Sequence, residues 1–269
     1  MKLLNGKELA GFIKERQAGA VRSLRQGSKV VPRLAIIQVK DDPVINTYVK
    51  LKKKYGADIG IEVDVHTPPE AELPALIEKL NKDKSIHGII VQLPLIDTSR
   101  TDEIVNLVAP NKDVDALGQE ALFDPATPMA IMWLLAGYNI DLAGKSILLI
   151  GRGKLVGAPL EHILKNSGHD VTVVDRETKN LADQVRQADI IITATGSPAI
   201  LYSDMIRPGT VVVDAGTASE DGKTVGDLAA DVYERDDITA TPAKGGVGPL
   251  TVCALFENVI RAARNTVKV

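Results

Sequence analysis

The sequence predicts an α/β protein of two domains: an N-terminal α/β domain with a parallel sheet, and a C-terminal Rossmann-type dinucleotide-binding domain, with a cleft between them. Three observations carry that prediction. Strand-like and helix-period segments alternate along all 269 residues, a pattern that favours βαβ units and parallel pairing. The alternation lapses between Leu117 and Asn139 and restarts at Lys145. The restart places Gly151, Gly153 and Gly157 between an apolar run and a helix-period segment, where a phosphate-binding turn belongs. The expected domains are residues 1–120 with a returning C-terminal helix at 250–269, and residues 121–249.

The elements follow in order. The opening segment, from Met1, reads as an amphipathic helix centred on Gly6–Gln26, and Arg33–Val39 as a buried-type strand. Pro43–Ile59 is expected to be a helix, Glu62–His66 a strand, Glu70–Leu80 a helix, Gly88–Leu93 a strand and Thr101–Val108 a helix. Leu117–Pro128 is loop-like, and Pro128–Tyr138 reads as a helix joining the two domains. In the second half, Ser146–Ile150 is a strand ending at Gly151, and Val156–Asn166 a helix. Asp170–Asp175 is a strand and Lys179–Arg186 a helix; Asp189–Gly196 and Thr210–Gly216 are strands, joined through a turn near Tyr202–Arg207. The last helix is expected at Leu250–Val267.

Composition narrows the function classes. Hydrophobic residues make up 45% of the chain, enough for a sizeable core. The net charge of −3, with both signs interleaved, argues against a nucleic-acid partner. A single cysteine, Cys253, precludes an intramolecular disulfide, and His66, His87, His162 and His169 lack metal-site spacing, so no metal is expected. No apolar run reaches the ~20 residues that span a bilayer, and the N-terminus lacks a signal-peptide core, so the expected location is the cytoplasm, away from membranes.

In the phosphate-binding turn, glycines let a pyrophosphate approach backbone N–H groups at a helix N-terminus. Gly-rich turns also arise for structural reasons alone; the place of this one, opening a βαβαβ series, favours a nucleotide. Asp175 ends the next strand, where a carboxylate accepts from the ribose hydroxyls of NAD. Arg176 beside it and Arg152 inside the turn are suited instead to the 2′-phosphate of NADP. The balance leans to NADP, with NAD open.

The first half carries three polar features. Tyr48 and Lys52 stand four residues apart, hence on one helix face. Lys50, Lys53 and Lys54 crowd Lys52 with like charge, which disfavours an ammonium and would suit proton transfer; a solvated basic face is the plainer reading of the spacing. Gln92 ends a buried strand, the edge where open α/β sheets bind ligands, or where an amide simply closes a core. Asp113 and Asp115 read as turn residues.

Together these segments resemble the bifunctional methylenetetrahydrofolate dehydrogenase/cyclohydrolase family, in order and through nearly the whole chain. DDPxxxxYVxxKxK matches Asp41–Lys54, VQLPL matches Val91–Leu95 and KDVD matches Lys112–Asp115. PxTP matches Pro125–Pro128, GRxxxVGxP matches Gly151–Pro159 and ATG matches Ala194–Gly196. VVGD is approached by Thr224–Asp227, and TPxxGGVGPxT matches Thr241–Thr251.

The resemblance implies catalysis by Lys52, positioned by Tyr48 and hydrogen-bonded by Gln92. It implies a pterin grip by Asp115, substrate contacts at Val91 and Leu93, and a backbone wall of Gly245, Gly246, Val247, Gly248 and Pro249. The cofactor contacts would be Gly151, Arg152, Gly153, Asp175, Arg176 and Thr217. It further implies a folate substrate, hydride transfer to NADP, hydrolysis of the methenyl product and a homodimer.

Departures from the pattern are Ala116 for glycine after KDVD, a short connection to Pro125, Ala126 for cysteine, and Gly153 for serine. Val174–Asp175–Arg176 stands for C-H-S and Lys244 for proline, placing an extra charge that would suit a glutamate tail or cofactor phosphate. A monofunctional NAD-linked dehydrogenase and a non-catalytic nucleotide sensor stay open as alternatives; the retained Lys52, Gln92 and Asp115 speak against the sensor.

Overall fold

A computed structural model describes residues 1–175, 177–220 and 223–267. Arg176, expected at the cofactor, lies outside the described residues. The elements begin β1 (Lys2–Leu3), α1 (Gly6–Gly27), β2 (Arg33–Ile37), α2 (Pro43–Ile59), β3 (Glu62–His66) and α3 (Leu73–Lys82). They continue β4 (Gly88–Val91), α4 (Thr101–Val105), α5 (Ala126–Gly137), β5 (Ile147–Ile150), α6 (Gly157–Asn166) and β6 (Val171–Val174). The rest are α7 (Leu181–Gln187), β7 (Ile190–Thr193), β8 (Val211–Asp214), β9 (Ala218–Glu220), β10 (Lys223–Val225), β11 (Thr239–Ala240) and α8 (Val247–Asn265).

Two compact units emerge. One comprises Gly11–Ala126 and Val252–Val269, the other Met1–Ala10 and Thr127–Thr251.

The first unit holds a three-stranded parallel sheet in the order β3-β2-β4. The four apolar residues of β2 after Arg33 are all buried, as expected for a central strand covered on both faces. Ala35, Ile37, Ile89 and Val91 pack with Leu73, Ile77 and Leu80 of α3 and with Ile104 and Val105 of α4. The helical pattern from Glu70 begins as a 3-10 turn at Glu70–Glu72, and α3 proper starts at Leu73. Pro74, with no N–H, is tolerated only in the first turn of a helix. Helix α4 stops at Val105, short of the expected Val108, because the Asn106 side chain donates to the Asp102 carbonyl and competes with the backbone ladder.

A buried polar network joins three helices of this unit. Tyr55 on α2 donates to Gln17 Oε1 on α1 at 2.7 Å, and Gln17 Nε2 donates to the Cys253 carbonyl of α8 at 2.8 Å. Fully buried Asn258 donates to the carbonyls of Val114 at 3.0 Å and Asp124 at 2.9 Å. That brace ties 121–126 to this unit, although the sequence assigned those residues to the second domain.

The other unit carries a six-stranded sheet in the order β1-β11-β8-β7-β5-β6, parallel at every pairing. The order of strand addition reverses at β5: the β5–α6–β6 crossover runs to one side and the next step, to β7, runs to the other. In such sheets ligands bind at the carboxyl ends of the strands flanking that switch. Apolar residues of β5, β7 and β8 form the core with Val185, Leu201 and Val232.

The N-terminal assignment needs correction. Lys2 and Leu3 pair in parallel with Thr239 and Ala240, and Leu4 is fully buried. Residues 1–10 therefore belong to the six-stranded unit, and the helix opens only at Gly6. Two-residue strands carry no period from which sequence could read them.

Replacing Asn258 by Ala removes its hydrogen bonds to the carbonyls of Val114, next to Asp115, and Asp124, and is expected to cost about 1–3 kcal/mol. Urea unfolding with an unchanged m-value checks this.

Candidate active site

Helix α2 exists where it does because Asp42 caps it. The Asp42 carboxylate accepts from the N–H groups of Val44 at 2.9 Å and Ile45 at 3.2 Å, Pro43 fills the first turn, and Gly60 closes the helix in left-handed backbone. Ile45, Val49, Gly56 and Ile59 face inward. Lys52 lies half-buried beside that face, and Tyr48, 38% exposed, stands one turn earlier.

Gln92 follows β4 at the carboxyl edge of the sheet, and Lys52 Nζ donates to Gln92 Oε1 at 2.9 Å. Burial pushes the Lys52 ammonium below its ordinary pKa, and the Asp115 carboxylate opposes the shift. The sequence offered tuning by the neighbouring lysines as one reading and preferred a solvated basic face. Lys50, Lys53 and Lys54 are exposed to solvent, and desolvation takes the role offered to them.

The KDVD loop divides its labour. Lys112 Nζ donates to the carbonyls of Leu80 at 2.9 Å, Asn81 at 2.8 Å and Asp83 at 2.7 Å, and so caps the C-terminus of α3. Asp113, 3% exposed, accepts from Gly118 N–H at 2.8 Å; burial raises its pKa while that backbone donor opposes the rise. Val114 is buried, and its methyls lie where a side chain on Gly88 would sit. With three residues pegged inward, Asp115 is left half-exposed at the loop, close enough for its charge to act on Lys52. Val91 is buried in the core and Leu93 is half-buried, so Leu93 is the more available of those two expected substrate contacts.

On the other unit, Gly151 follows β5 with φ of 102°, and a Cβ there would approach the Ala194 carbonyl oxygen to 2.6 Å. A Cβ on Gly157 would overlap the Gly151 carbonyl, whereas around Gly153 there is open space. Backbone approach thus demands glycine at 151 and 157 but not at 153. Helix α6 starts at Gly157 with no side chain capping its first turn, and Ala158 N–H donates to the Gly153 carbonyl at 3.0 Å, so the turn is fastened to the helix N-terminus, the place where such units bind a pyrophosphate. Arg152 donates to Glu161 on α6 at 2.8 Å, and Glu161 also receives Lys165 at 2.7 Å. Asp175 accepts from Glu177 N–H at 2.9 Å and from Thr178 Oγ1 at 3.2 Å, closing the turn after β6. Thr217 is exposed after β8, its carbonyl next to Gly196.

The GGVGP segment, which had no evident helix or strand role in sequence, is a tight turn into α8. Gly245 takes φ of 86° and its carbonyl accepts from Lys7 N–H at 2.9 Å. Gly246 packs on the Thr241 side chain, and Val247 opens the helix, with Gly248 and Pro249 in its first turn. Lys244 is exposed. Tyr48, Lys52, Val91, Gln92, Leu93 and Asp115 therefore belong to the three-stranded unit, and Gly151, Arg152, Gly153, Asp175, Thr217 and Gly245–Pro249 to the six-stranded one. Sequence reasoning missed Lys112 and Asp113 as the pegs of the Asp115 loop. It also missed a pair of carboxylates, Asp214 and Asp227, behind Thr217; an aspartate ending an otherwise apolar strand was the available signal. Among the described residues, no cluster of three or more potential ligands for a metal occurs.

A Rossmann turn on one unit, and on the other a desolvated lysine held by a strand-end glutamine, define an α/β enzyme of the dinucleotide-dependent class. The model of the tetrahydrofolate dehydrogenase/cyclohydrolase catalytic domain matches residues 4–115, and that of the NAD(P)-binding domain matches residues 125–267. The bifunctional protein FolD of Campylobacter jejuni (strain RM1221) is 41% identical over 98% of this chain and 99% of its own. The crystal structure of a bifunctional FolD from Campylobacter jejuni superposes with a TM-score of 0.91 at 39% identity, covering 98% of this chain and 99% of that one. The Trypanosoma brucei methylenetetrahydrofolate dehydrogenase-cyclohydrolase, in complex with NADP and an inhibitor, gives 0.92 at 29% identity, over 99% of this chain and 98% of that one. The chain belongs to the tetrahydrofolate dehydrogenase/cyclohydrolase family.

Three substitutions check the local geometry. Gly157→Ala should abolish nucleotide binding while Gly153→Ala leaves it within about threefold, measured by calorimetric titration with NADP. Ala116 adopts φ of 56°, where the family pattern has glycine. Ala116→Gly is therefore expected to raise unfolding free energy by about 0.5–1 kcal/mol.

Proposed function

We propose that the chain oxidises methylenetetrahydrofolate to the methenyl form with NADP and hydrolyses that product to formyltetrahydrofolate. The observation that carries this reading is the 2.9 Å hydrogen bond from Lys52 to Gln92, made by a lysine whose burial favours its neutral form. Membership of the family and the NADP-bound Trypanosoma brucei relative support it.

Asp115 accepts from the pterin ring nitrogens, Tyr48 packs against the folate and Leu93 adds apolar contact, with Val91 behind it. The backbone of Gly245, Gly246, Val247, Gly248 and Pro249 supplies a wall beside the folate. Gly151, Arg152, Gly153, Asp175, Arg176 and Thr217 hold the dinucleotide. When bound, NADP supplies the acceptor for the hydride that leaves the methylene carbon. That step asks the protein mainly for orientation, because the folate nitrogen stabilises the cation that forms.

Hydrolysis asks for a base. Water adds to the methenyl carbon as the neutral Lys52 amine takes one of its protons, and the remaining hydroxyl proton passes to the ring nitrogen as its C–N bond opens, leaving the formyl group. Gln92 Oε1 orients the amine throughout and accepts from the ammonium once it forms. Because burial lowers the Lys52 pKa, the neutral base gains population as pH rises toward the lowered value, below the ordinary 10.5.

One observation favours NAD as a second reading of the cofactor: Arg152 is drawn into an ion pair with Glu161 and so is partly neutralised. We further infer that the protein works in the cytoplasm as a homodimer; Leu155 and Tyr202, exposed on the six-stranded unit, are candidate contact residues. Among the described residues, no helix is long and apolar enough to cross a membrane.

Steady-state oxidation of methylenetetrahydrofolate with NADP and with NAD tests reaction and cofactor together, and NADP is expected to give the higher kcat/KM. Lys52→Met is expected to slow methenyl hydrolysis by about 10²–10⁴-fold and to spare hydride transfer. Hydrolysis at parental rate in that variant would remove Lys52 from the mechanism.

A further inference from the structure

Behind the loops that follow β7 and β8 lies a pair of carboxylates that the reaction above does not use. Asp214 ends β8 and gathers donors from several directions. Its Oδ1 accepts from the N–H groups of Gly216 at 2.9 Å and Asp227 at 3.1 Å, and from Thr193 Oγ1 at 3.3 Å. Its Oδ2 accepts from the N–H groups of Asp227 at 3.0 Å and Leu228 at 3.3 Å, and from the Tyr233 hydroxyl at 3.5 Å. Backbone N–H groups of Gly216, Asp227 and Leu228 thus all face the Asp214 carboxyl.

Asp227 is its opposite. It is fully buried, its Oδ2 accepts from Thr195 N–H at 2.8 Å, and its Oδ1 has no hydrogen-bond partner. A bare carboxylate oxygen buried beside a second carboxyl is costly, and protonation lowers that cost by removing the charge.

Each aspartate also rests on a glycine next to the other. A Cβ on Gly216 would overlap the Asp227 carboxyl, and a Cβ on Gly226 would overlap that of Asp214. The two glycines and two aspartates interlock, so the pair fastens both ends of 215–226, the segment containing Thr217, β9 and β10. Through Thr195 N–H it also fastens the loop after β7, where Gly196 meets the Thr217 carbonyl. These loops lie at the carboxyl edge of the six-stranded sheet, where a Rossmann unit receives the nicotinamide half of its cofactor.

We propose that Asp227 keeps a proton on its orphaned Oδ1 beside Asp214, and that this pair positions the loops after β7 and β8 to receive the nicotinamide end of NADP. Both are positioning residues. The proposal rests on the family reading of the cofactor, and it adds a protonation state on which the cofactor site depends. The titratable groups facing Asp227 are Asp214 from β8 and Tyr233 from the 3-10 turn at Ala230–Glu234; the hydroxyls of Thr193 and Thr195 complete its surroundings. Burial raises the Asp227 pKa and the Asp214 charge adds to the rise, against the Thr195 N–H and the Thr195 and Thr193 hydroxyls, which oppose it. With the folded pKa above the unfolded 3.8, the stability linked to this proton is complete below that value and is lost as pH rises through the folded pKa. Loss of the proton sets two buried negative charges against each other and loosens both loops.

Asp227→Asn places a permanent N–H donor at the orphaned oxygen and keeps the acceptor for Thr195. Calorimetric NADP titration between about pH 5 and about pH 9 should show parental Kd weakening at least about fivefold toward high pH, and Asp227→Asn holding steady within about twofold. In the cofactor-free protein, the unfolding midpoint of the parent should fall relative to that of Asp227→Asn over the same range. Carboxyl-carbon NMR of the parent needs no variant: Asp227 should stay protonated above the ordinary carboxylate range. Asp227 titrating in the ordinary range, or Asp227→Asn tracking the parent at every pH, would overturn the proposal. A chain that binds no NADP would defeat the family reading instead, and the unfolding and NMR measurements would still test the proton.

Discussion

Parallel pairing is the constraint from which the rest of this structure follows. Both sheets pair their strands only in parallel, so consecutive strands cannot be joined by tight hairpins. Each return needs a crossover, which delivers every strand to the same edge and leaves a loop there. Gln92, the Gly151 turn, Ala194–Gly196 and Asp214–Thr217 are all such carboxyl-edge loops or their neighbours. The antiparallel β9–β10 hairpin lies outside both sheets, as an insertion after β8. Functional groups far apart in sequence are gathered by topology before any side chain makes a contact.

The chain then buries charge at a few of these edges and treats each case differently. Lys52 is desolvated but given a neutral acceptor, Gln92, so its amine is held in place without a close counter-ion fixing the ammonium. Lys112 is also partly desolvated, yet three carbonyls surround its ammonium, and it serves as a helix cap. Asp113 and Asp214 are satisfied by backbone N–H groups and act as pegs for turns. What separates a reactive group from a structural one here is the number of hydrogen bonds made to its charged form.

The same distinction explains the glycines. Three stand in the nucleotide turn, but close backbone approach requires only Gly151 and Gly157. A sequence pattern counts all three equally. Gly216 and Gly226 appear in no nucleotide fingerprint, yet each leaves room for a buried carboxylate from across the loop.

Sequence alone determined the βαβ alternation, the bounds of α2 and β3 and the nucleotide turn, since each is a local signal: apolar period, an Asp-Pro helix start, glycine spacing. Through resemblance it also placed Tyr48, Lys52, Gln92 and Asp115 in one constellation. Only the tertiary structure decided that Met1–Ala10 joins the second sheet, because β1 and β11 are two residues long and exist by pairing with each other. Only the tertiary structure showed that desolvation, and not neighbouring lysines, tunes Lys52, and that Asp214 and Asp227 meet. Burial and the partners of a charged group depend on segments tens of residues away, and no local pattern encodes them.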